Sequence, residues 1–169
     1  MQTTLQGGTL PYRSCVGIML INHDGRVFCG ERHDTPGAWQ MPQGGIQKGE
    51  EPSAAALREL HEEIGVNKAE IIGKTAQTYR YDFPDFLQHR SVYKGKYRGQ
   101  EQHWFALRFL GVDTDIDLVA HNDEEGPEFI AWKWVAITEV SQLIVPFKRA
   151  VYDNVVAEFK PLIERIKTS

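Results

Sequence analysis

Three glutamates fall within five residues just before a glycine: Glu59, Glu62 and Glu63 in the segment RELHEEIGV. On an α-helix Glu59 lies three residues from Glu62 and four from Glu63, and like charges at those spacings destabilise a helix by roughly 0.2–0.5 kcal/mol a pair. They also lie at the carboxyl end of the helix, where the helix dipole favours cations by about 0.3–1 kcal/mol per charge. The pattern therefore predicts either a solvated acidic face or a site in which a bound cation offsets the repulsion.

The residues around the glutamates predict a helix from about Pro52 to Ile64. Proline suits the first turn of a helix, alanine and leucine favour its interior, and Gly65 suits the position just past its end. Apolar residues recur at helical spacing, which predicts that one side of the helix is buried and that the glutamates lie near the other side. The predicted buried residues are Ala56, Leu57, Leu60 and Ile64.

The loop before the helix favours the cation site over the solvated face. Gly44, Gly45 and Gly49 make this loop flexible enough for its backbone to approach a metal or a phosphate. Glu50 precedes Arg58 by eight residues, and it is the predicted partner of that guanidinium once the loop folds back. Oxygen ligands at this spacing suit Mg²⁺ or Mn²⁺, and the chain has no cluster of cysteines and histidines that would favour zinc.

The remaining sequence predicts one α/β domain, residues 1–169, with a mixed sheet and helices packed on it. Residues 14–31 predict a β-hairpin because an Asp-Gly pair, Asp24 and Gly25, joins two apolar runs. Segments rich in β-branched and aromatic residues predict further strands within residues 69–83, 103–111 and 129–137. Apolar residues at helical spacing after Phe147 predict a terminal amphipathic helix that Pro161 kinks or interrupts.

Charge and hydrophobicity exclude several classes of protein. A formal net charge of −4 argues against a protein that holds nucleic acid by its overall field, so any RNA contact is expected to be local and no DNA partner is expected. The apolar run at residues 15–21 is too short to span a bilayer and follows no basic region of the kind that opens a signal peptide, so a cytoplasmic protein is expected. Cys15 and Cys29 lie in apolar runs and are predicted to be buried thiols.

Residues 44–66 resemble the Nudix box, whose pattern is G-x5-E-x7-R-E-U-x-E-E-x-G-U with U aliphatic. The segment GGIQKGEEPSAAALRELHEEIGV fills all nine fixed positions, and a pattern of this length is far more specific than a short motif. Much of the remaining chain resembles the subgroup that contains bacterial RNA pyrophosphohydrolases and dinucleoside polyphosphate hydrolases: YRSCVGIMLIN, WQMPQGGI, YRGQEQHWFALRF, PEFIAWKWV and VPFKRAVYDNVVAEF. The resemblance implies an α/β/α sandwich around a mixed β-sheet, with the box forming a loop, a helix and a loop.

The resemblance also implies roles for the glutamates. The implied ligands of Mg²⁺ or Mn²⁺ are the backbone carbonyl of Gly44 and the side chains of Glu59, Glu62, Glu63 and, outside the box, Glu128. One carboxylate would accept the proton of the attacking water; Glu59 is the first choice, with Glu62 or Glu128 as alternatives. The matched residues that would orient the box are Glu50, Arg58 and Gly65.

The resemblance implies a substrate with a polyphosphate and a base. The implied substrate-binding residues are Arg13, Arg32, Tyr81, Lys96, Phe147 and Lys148. Without the family resemblance, Arg13 and Arg32 would be interpreted as solvated strand ends, Phe147 as packing at a helix start and Tyr81 as a core residue of its strand. Lys96 belongs to the segment HRSVYKGKYRGQ, whose basic and aromatic residues either clamp a polyphosphate or a single strand or form a solvated basic loop; the others are Arg90, Tyr93, Lys94, Tyr97 and Arg98.

The resemblance leaves two enzymes and one binding protein open. The first is an RNA pyrophosphohydrolase that converts 5′-triphosphorylated RNA to 5′-monophosphorylated RNA and so promotes mRNA decay. The second is an asymmetric hydrolase of diadenosine tetraphosphate, since the segment YRGQEQHWF is shared by both kinds of enzyme. The third is a catalytically silent nucleotide- or RNA-binding module, although such a module is expected to lack a glutamate of the box. The sequence leaves protein partners open.

Overall fold

The computed structural model describes residues 10–84, 96–119 and 127–168. The strands are β1 (Tyr12–Ile21), β2 (Val27–Arg32), β3 (Trp39–Gln40), β4 (Gln43–Gly45), β5 (Ala69–Lys74), β6 (Tyr79–Asp82), β7 (Gly99–Phe109) and β8 (Phe129–Val135). The helices are α1 (Pro52–Ile64), α2 (Val140–Leu143) and α3 (Arg149–Thr168), and short 3-10 turns cover Asp113–Asp115, Ile137–Glu139 and Pro146–Lys148. Among these residues, no helix is long and apolar enough to cross a membrane.

The eight strands form one mixed sheet, as the sequence predicts. The main strand order is β3-β2-β1-β7-β5, with β4 paired to β1, β6 to β7 and β8 to β2. Strands β1 and β7 run parallel over ten residue pairs, whereas the other pairs are antiparallel. This long parallel pair lies at the centre of the sheet, and it fixes the register of the side chains that line the candidate site.

Side chains of β1 are buried on both faces of the sheet. Val16, Ile18 and Leu20 pack in one apolar cluster with α1, whereas Met19 and Ile21 pack in a second cluster with α3. Because successive side chains of a strand point to opposite faces, these two clusters lie on opposite sides of the sheet. The predicted α/β/α sandwich is confirmed.

The predicted hairpin is confirmed, but its strands soon separate. Asn22 closes the turn, since its side-chain oxygen accepts hydrogen bonds from the backbone N–H groups of Asp24 and Arg26, and Gly25 has a φ of 79°. Strands β1 and β2 pair at Ile21 and Val27, and further along β4 pairs with β1 and β3 with β2. The gap between β1 and β2 therefore accommodates the loop that leads into α1.

Helix α1 has the predicted bounds, but its buried side is rotated towards the glutamates. Leu57 is 42% exposed, so its predicted burial is wrong, and Glu63, expected near the exposed side, is only 7% exposed. Glu63 follows Ala56 by seven residues, which is about two turns, so both point to the same side of the helix. The hydrophobic pattern missed this because β4, which directly precedes the helix in sequence, folds back and covers that side, and the spacing of apolar residues within the helix does not show this.

Two other predictions are refined by the structure. Residues 69–83 form two strands, β5 and β6, which pair with successive parts of β7. Helix α3 continues through Pro161, so an interruption there is wrong. Proline leaves the carbonyl four residues earlier without a helical partner; here that residue is Ala157, and both residues are exposed to solvent. Cys15 and Cys29 are buried free thiols, as predicted.

The rotation of α1 predicts different costs for two leucine substitutions on the same helix. Leu60→Ala should lower the free energy of unfolding by about 2–5 kcal/mol, because Leu60 is fully buried. Leu57→Ala should lower it by less than about 1 kcal/mol, because much of that side chain is already in water. Denaturant unfolding of both variants checks this, and equal costs would contradict the observed rotation.

Candidate active site

The guanidinium of Arg58 holds the loop and the helix together. Its Nε and Nη2 donate to the two carboxylate oxygens of Glu50 at 2.8 and 2.9 Å, and Nη2 also donates to the carbonyl oxygen of Gly45 at 2.8 Å. Arg58 holds the pKa of Glu50 at about 2. The predicted pairing of Glu50 with Arg58 is confirmed, and it brings the glycine-rich loop against α1. Gly65 ends the helix with a φ of 72°, as predicted.

The three glutamates of α1 lie in different environments. Glu59 and Glu62 each accept a hydrogen bond from Nη1 of Arg58, at 2.9 and 3.0 Å. Burial raises the pKa of Glu59 to about 7, against the opposing effect of Arg58. Glu63 accepts from the backbone N–H of Gln43 at 3.2 Å, and its pKa is well above the ordinary range because it is buried close to the negative charges of Glu128 and Glu59.

Gly44 lies directly against Glu59. A Cβ atom at Gly44 would lie 2.0 Å from the carboxyl carbon of Glu59, far closer than any side chain allows. Glycine is therefore required for β4 and the glutamate to approach this closely, and the backbone of Gly44 lies next to the Glu59 carboxylate. This observation supports the predicted use of the Gly44 carbonyl.

The carboxylates suit a divalent cation in chemistry and charge, but their side chains are not yet gathered around one. Glu59, Glu63 and Glu128 are hard oxygen donors whose mutual repulsion a cation would offset. Among the residues described, no group of three or more Asp, Glu, His or Cys side chains is arranged to hold a metal ion. Glu59 and Glu62 are instead turned towards Arg58, so each would have to leave Nη1 in order to bind a metal.

A pair of cations lies close to this acidic cluster. Arg32 donates from Nη1 to the side-chain oxygen of Gln40 at 3.1 Å and binds Asp34 through Nε and Nη2 at 2.8 and 2.6 Å. Lys148 is 7% exposed, and burial, together with the positive charge of Arg32, lowers its pKa to about 8 while Glu128 opposes this shift. The buried amide nitrogen of Gln40 has no partner among the described residues.

The remaining predicted substrate residues meet through the strand register. Arg13 of β1 and Tyr81 of β6 both pair with Gln100 of β7, so the three side chains form a row across one face of the sheet. The guanidinium of Arg13 lies over Gly45, where a Cβ would be 2.3 Å from Nη2. The ring of Tyr81 is 5.7 Å from that of Phe147 between centroids.

Lys148, one of the two cations of that pair, lies close to the aromatic rings of Tyr81 and Phe147. Its Nζ lies 5.5 Å from the centroid of the Tyr81 ring and 5.8 Å from that of Phe147. Arg32 is also close enough to Tyr81 for the two side chains to interact electrostatically. The structure thus brings together five of the six predicted substrate-binding residues: Arg13, Arg32, Tyr81, Phe147 and Lys148.

The basic, aromatic segment is described only in part. Lys96 is exposed, and none of the hydrogen bonds or ion pairs among the described residues joins it to the glutamates. Arg98 binds Asp82 at 2.8 Å and covers the ring of Tyr12 at 4.7 Å, so its described contacts are with a surface cluster. The predictions for Arg90, Tyr93 and Lys94 lie outside the described residues.

Sequence reasoning missed three glutamines beside the site. Gln43, Gln100 and Gln102 are joined by side-chain hydrogen bonds of 2.7 and 3.1 Å. Two of them alternate in the segment GQEQHW, and residues two apart on a strand share a face. That spacing was a usable signal, but it does not reveal the partner strands that turn this face towards the site.

Three comparisons with known proteins agree with this geometry. A family model described as a NUDIX domain matches residues 11–155. A protein named RNA pyrophosphohydrolase from Sphingopyxis alaskensis is 52% identical over 157 residues, which cover 91% of this chain and 96% of that protein. A protein of the same name from Erythrobacter litoralis is 54% identical over 158 residues, which cover 91% and 94%.

The fold is also similar to solved structures. The structure of the E. coli dihydroneopterin triphosphate pyrophosphohydrolase matches with a TM-score of 0.64 and 21% sequence identity, covering 88% of this chain and 99% of that one. At this identity the likeness concerns the fold alone.

The raised pKa of Glu59 predicts that the metal-free protein loses stability as pH rises. Folded Glu59 keeps its proton up to about pH 7, whereas the unfolded chain loses it near 4.5. Its stabilising contribution is therefore complete below pH 4.5 and is lost as pH rises through 7. In EDTA, the free energy of unfolding should fall by on the order of 1–3 kcal/mol between about pH 5 and pH 8.

Glu59→Gln is the control for this prediction, because an amide does not titrate in that range. Denaturant unfolding of both proteins across the pH series should give a shallower fall for the variant. Equal slopes would show that Glu59 has its ordinary pKa in the folded protein. Millimolar MgCl₂ should reduce the fall in the unsubstituted protein, since a bound cation stabilises the ionised carboxylates.

Proposed function

Because the chain belongs to the NUDIX domain family, we propose that it is a metal-dependent RNA pyrophosphohydrolase. It removes pyrophosphate from the 5′ end of triphosphorylated RNA and leaves 5′-monophosphorylated RNA, which promotes mRNA decay. The observation that carries this proposal is the identity above 50%, over nine tenths of the chain, to proteins named RNA pyrophosphohydrolase. The geometry of the site supports this proposal both for the 5′ triphosphate and for the first bases of such a substrate.

The cations beside the glutamates suit the triphosphate. Arg13 lies in the same row as Tyr81, and Arg32 and Lys148 lie close to Tyr81. Each of the two arginines can donate to two phosphate oxygens at once. Lys148 supplies a compact positive charge with a pKa of about 8, so it is mostly protonated at neutral pH. These groups hold the negatively charged end of the substrate next to the carboxylates.

The ring of Phe147 suits the first bases of an RNA chain. Phe147 is partly exposed at the start of α3 and tilts against the ring of Tyr81 at 5.7 Å. Single-stranded RNA is commonly bound by stacking unpaired bases on such rings, and each stacked base contributes about 1–3 kcal/mol. A ring next to the buried cation of Lys148 therefore favours a nucleotide chain that carries a 5′ polyphosphate.

Divalent metals are in general use among Nudix hydrolases, and Mg²⁺ or Mn²⁺ suits the oxygen ligands of this site. We assign the cation to Glu59, Glu62, Glu63 and the carbonyl of Gly44, with Glu128 as a further ligand or as an assistant to the base. When bound, the metal neutralises charge on phosphate oxygens and lowers the pKa of a coordinated water.

One carboxylate of the site accepts the proton of the attacking water. Glu59 is the first candidate, since burial makes its carboxylate more basic than an exposed glutamate; Glu62 and Glu128 are the alternatives. Arg58 and Glu50 hold the loop against α1, and Arg58 also donates hydrogen bonds to Glu59 and Glu62.

Parallel assays of two substrates test the proposed function. Purified protein with saturating Mg²⁺ is offered 5′-triphosphorylated RNA and diadenosine tetraphosphate, and kcat/KM is compared. We expect the RNA to be the better substrate and pyrophosphate to be released. A negligible rate on RNA with turnover of the dinucleotide would favour the alternative hydrolase, and inactivity on both would favour a binding module.

Two conservative variants test the assigned ligands in the same assay. Glu62→Gln and Glu63→Gln keep the size of each side chain but remove a charged metal ligand, so each should lower kcat by about a hundredfold or more. Gln47→Met, an exposed change in the same loop, is the control and should leave the rate unchanged. Turnover of Glu63→Gln near that of the unsubstituted protein would show that Glu63 does not bind the metal.

A further inference from the structure

A buried hydrogen-bond network links a core tryptophan to the edge of the candidate site. Nε1 of Trp104 donates to the side-chain oxygen of Gln102 at 3.1 Å. Nε2 of Gln102 donates to the side-chain oxygens of Gln43 at 2.7 Å and of Gln100 at 3.1 Å. Gln43 in turn donates its backbone N–H to Glu63. The network therefore reaches from the core to one of the assigned ligands.

The chemistry of the indole fixes the direction of every bond in this network. Trp104 can donate a hydrogen bond but cannot accept one, so Gln102 must present its oxygen to it. The nitrogen of Gln102 then faces Gln43 and Gln100, and each of these two residues must accept its hydrogen bond through the side-chain oxygen. Consequently their own nitrogens point away from Gln102, and no hydrogen bond among the described residues uses them.

The backbone leaves room for this arrangement at one position. A Cβ on Gly17 would lie 2.5 Å from the Trp104 ring, so the indole lies over a glycine. In the register of the sheet, Gly17 pairs with Trp104 on one side and with Gln43 on the other. A side chain at position 17 would push the indole from its place, and the amide network would lose the donor that sets its direction.

Both glutamines lie next to residues assigned to the site. Gln100 is the middle member of the row, with Arg13 on one side and Tyr81 on the other. Gln43 is in β4, next to the carboxylate of Glu63. Phosphate oxygens accept hydrogen bonds and do not donate them, so an amide nitrogen attracts a polyphosphate whereas an amide oxygen repels it.

We propose that Trp104 and Gln102 are positioning residues, which orient the amides of Gln43 and Gln100 so that both present N–H donors to the polyphosphate of the substrate. The inference rests on the proposed function for the identity of that substrate. It assigns two neutral donors to the polyphosphate, in addition to the cations already described. It also explains why a glutamine stands at position 102, where an apolar residue would leave the indole N–H unpaired and the two other amides free to turn.

The test is a double-mutant cycle on polyphosphate binding. The readouts are the Kd of inorganic tripolyphosphate, measured by calorimetry in MgCl₂, and the KM and kcat of triphosphorylated RNA. Gln102→Met should raise Kd and KM about tenfold, with a smaller change in kcat. In a protein that already carries Gln43→Met and Gln100→Met, the same substitution should change Kd by less than about twofold, because the donors it orients are gone. Gln77→Met, an exposed change, is the control and should leave all three values unchanged.

A second variant keeps the test decisive if Gln102→Met is poorly folded. Gln102→Glu still accepts from Trp104, but it offers an oxygen to Gln43 and Gln100, which then turn their nitrogens inwards. It should weaken tripolyphosphate binding by more than Gln102→Met does. Binding unchanged in Gln102→Glu, or an equal rise for Gln102→Met in both backgrounds, would overturn the proposal. If tripolyphosphate follows the expected pattern while RNA is not hydrolysed, the network stands and the proposed substrate fails.

Discussion

The candidate site depends on the hydrogen bonds that the guanidinium of Arg58 donates. One planar group satisfies Glu50 through two hydrogen bonds, the carbonyl of Gly45 through another, and both Glu59 and Glu62 through its remaining nitrogen. Lysine could not replace it, because a single ammonium cannot span these acceptors in one plane. The crowding of carboxylates at the end of α1 is tolerated in part because this cation lies among them.

The helix and its loop were predictable because their signals are local. The signals are the proline at the start of the helix, the glycine at its end and the spacing of Glu50 to Arg58. Each depends only on residues that are close together in sequence. Leu57 and Glu63 show where such signals fail. The hydrophobic pattern assigns leucine to the core and glutamate to solvent, whereas β4 covers Glu63 and leaves Leu57 exposed.

The substrate side of the site depends on contacts between distant parts of the sequence. Arg13, Gln100 and Tyr81 become neighbours only through the parallel pairing of β1 with β7 and the antiparallel pairing of β6 with β7. Arg13 and Tyr81 were assigned a role only through the family resemblance, which revealed neither Gln100 nor Gln102 nor the indole that orients Gln102. Gly17 likewise looks like an ordinary strand glycine until Trp104 is seen to lie over it.

We propose that a divalent cation completes the acidic end of α1. The most direct measurement is the anomalous difference density of a crystal of the protein grown with Mn²⁺. We predict a peak bound by Glu59, Glu63 and the carbonyl of Gly44, with Arg58 still paired to Glu50 and released from Glu59. Density for Mn²⁺ only at other carboxylates, with Glu59 still hydrogen-bonded to Arg58, would contradict the account.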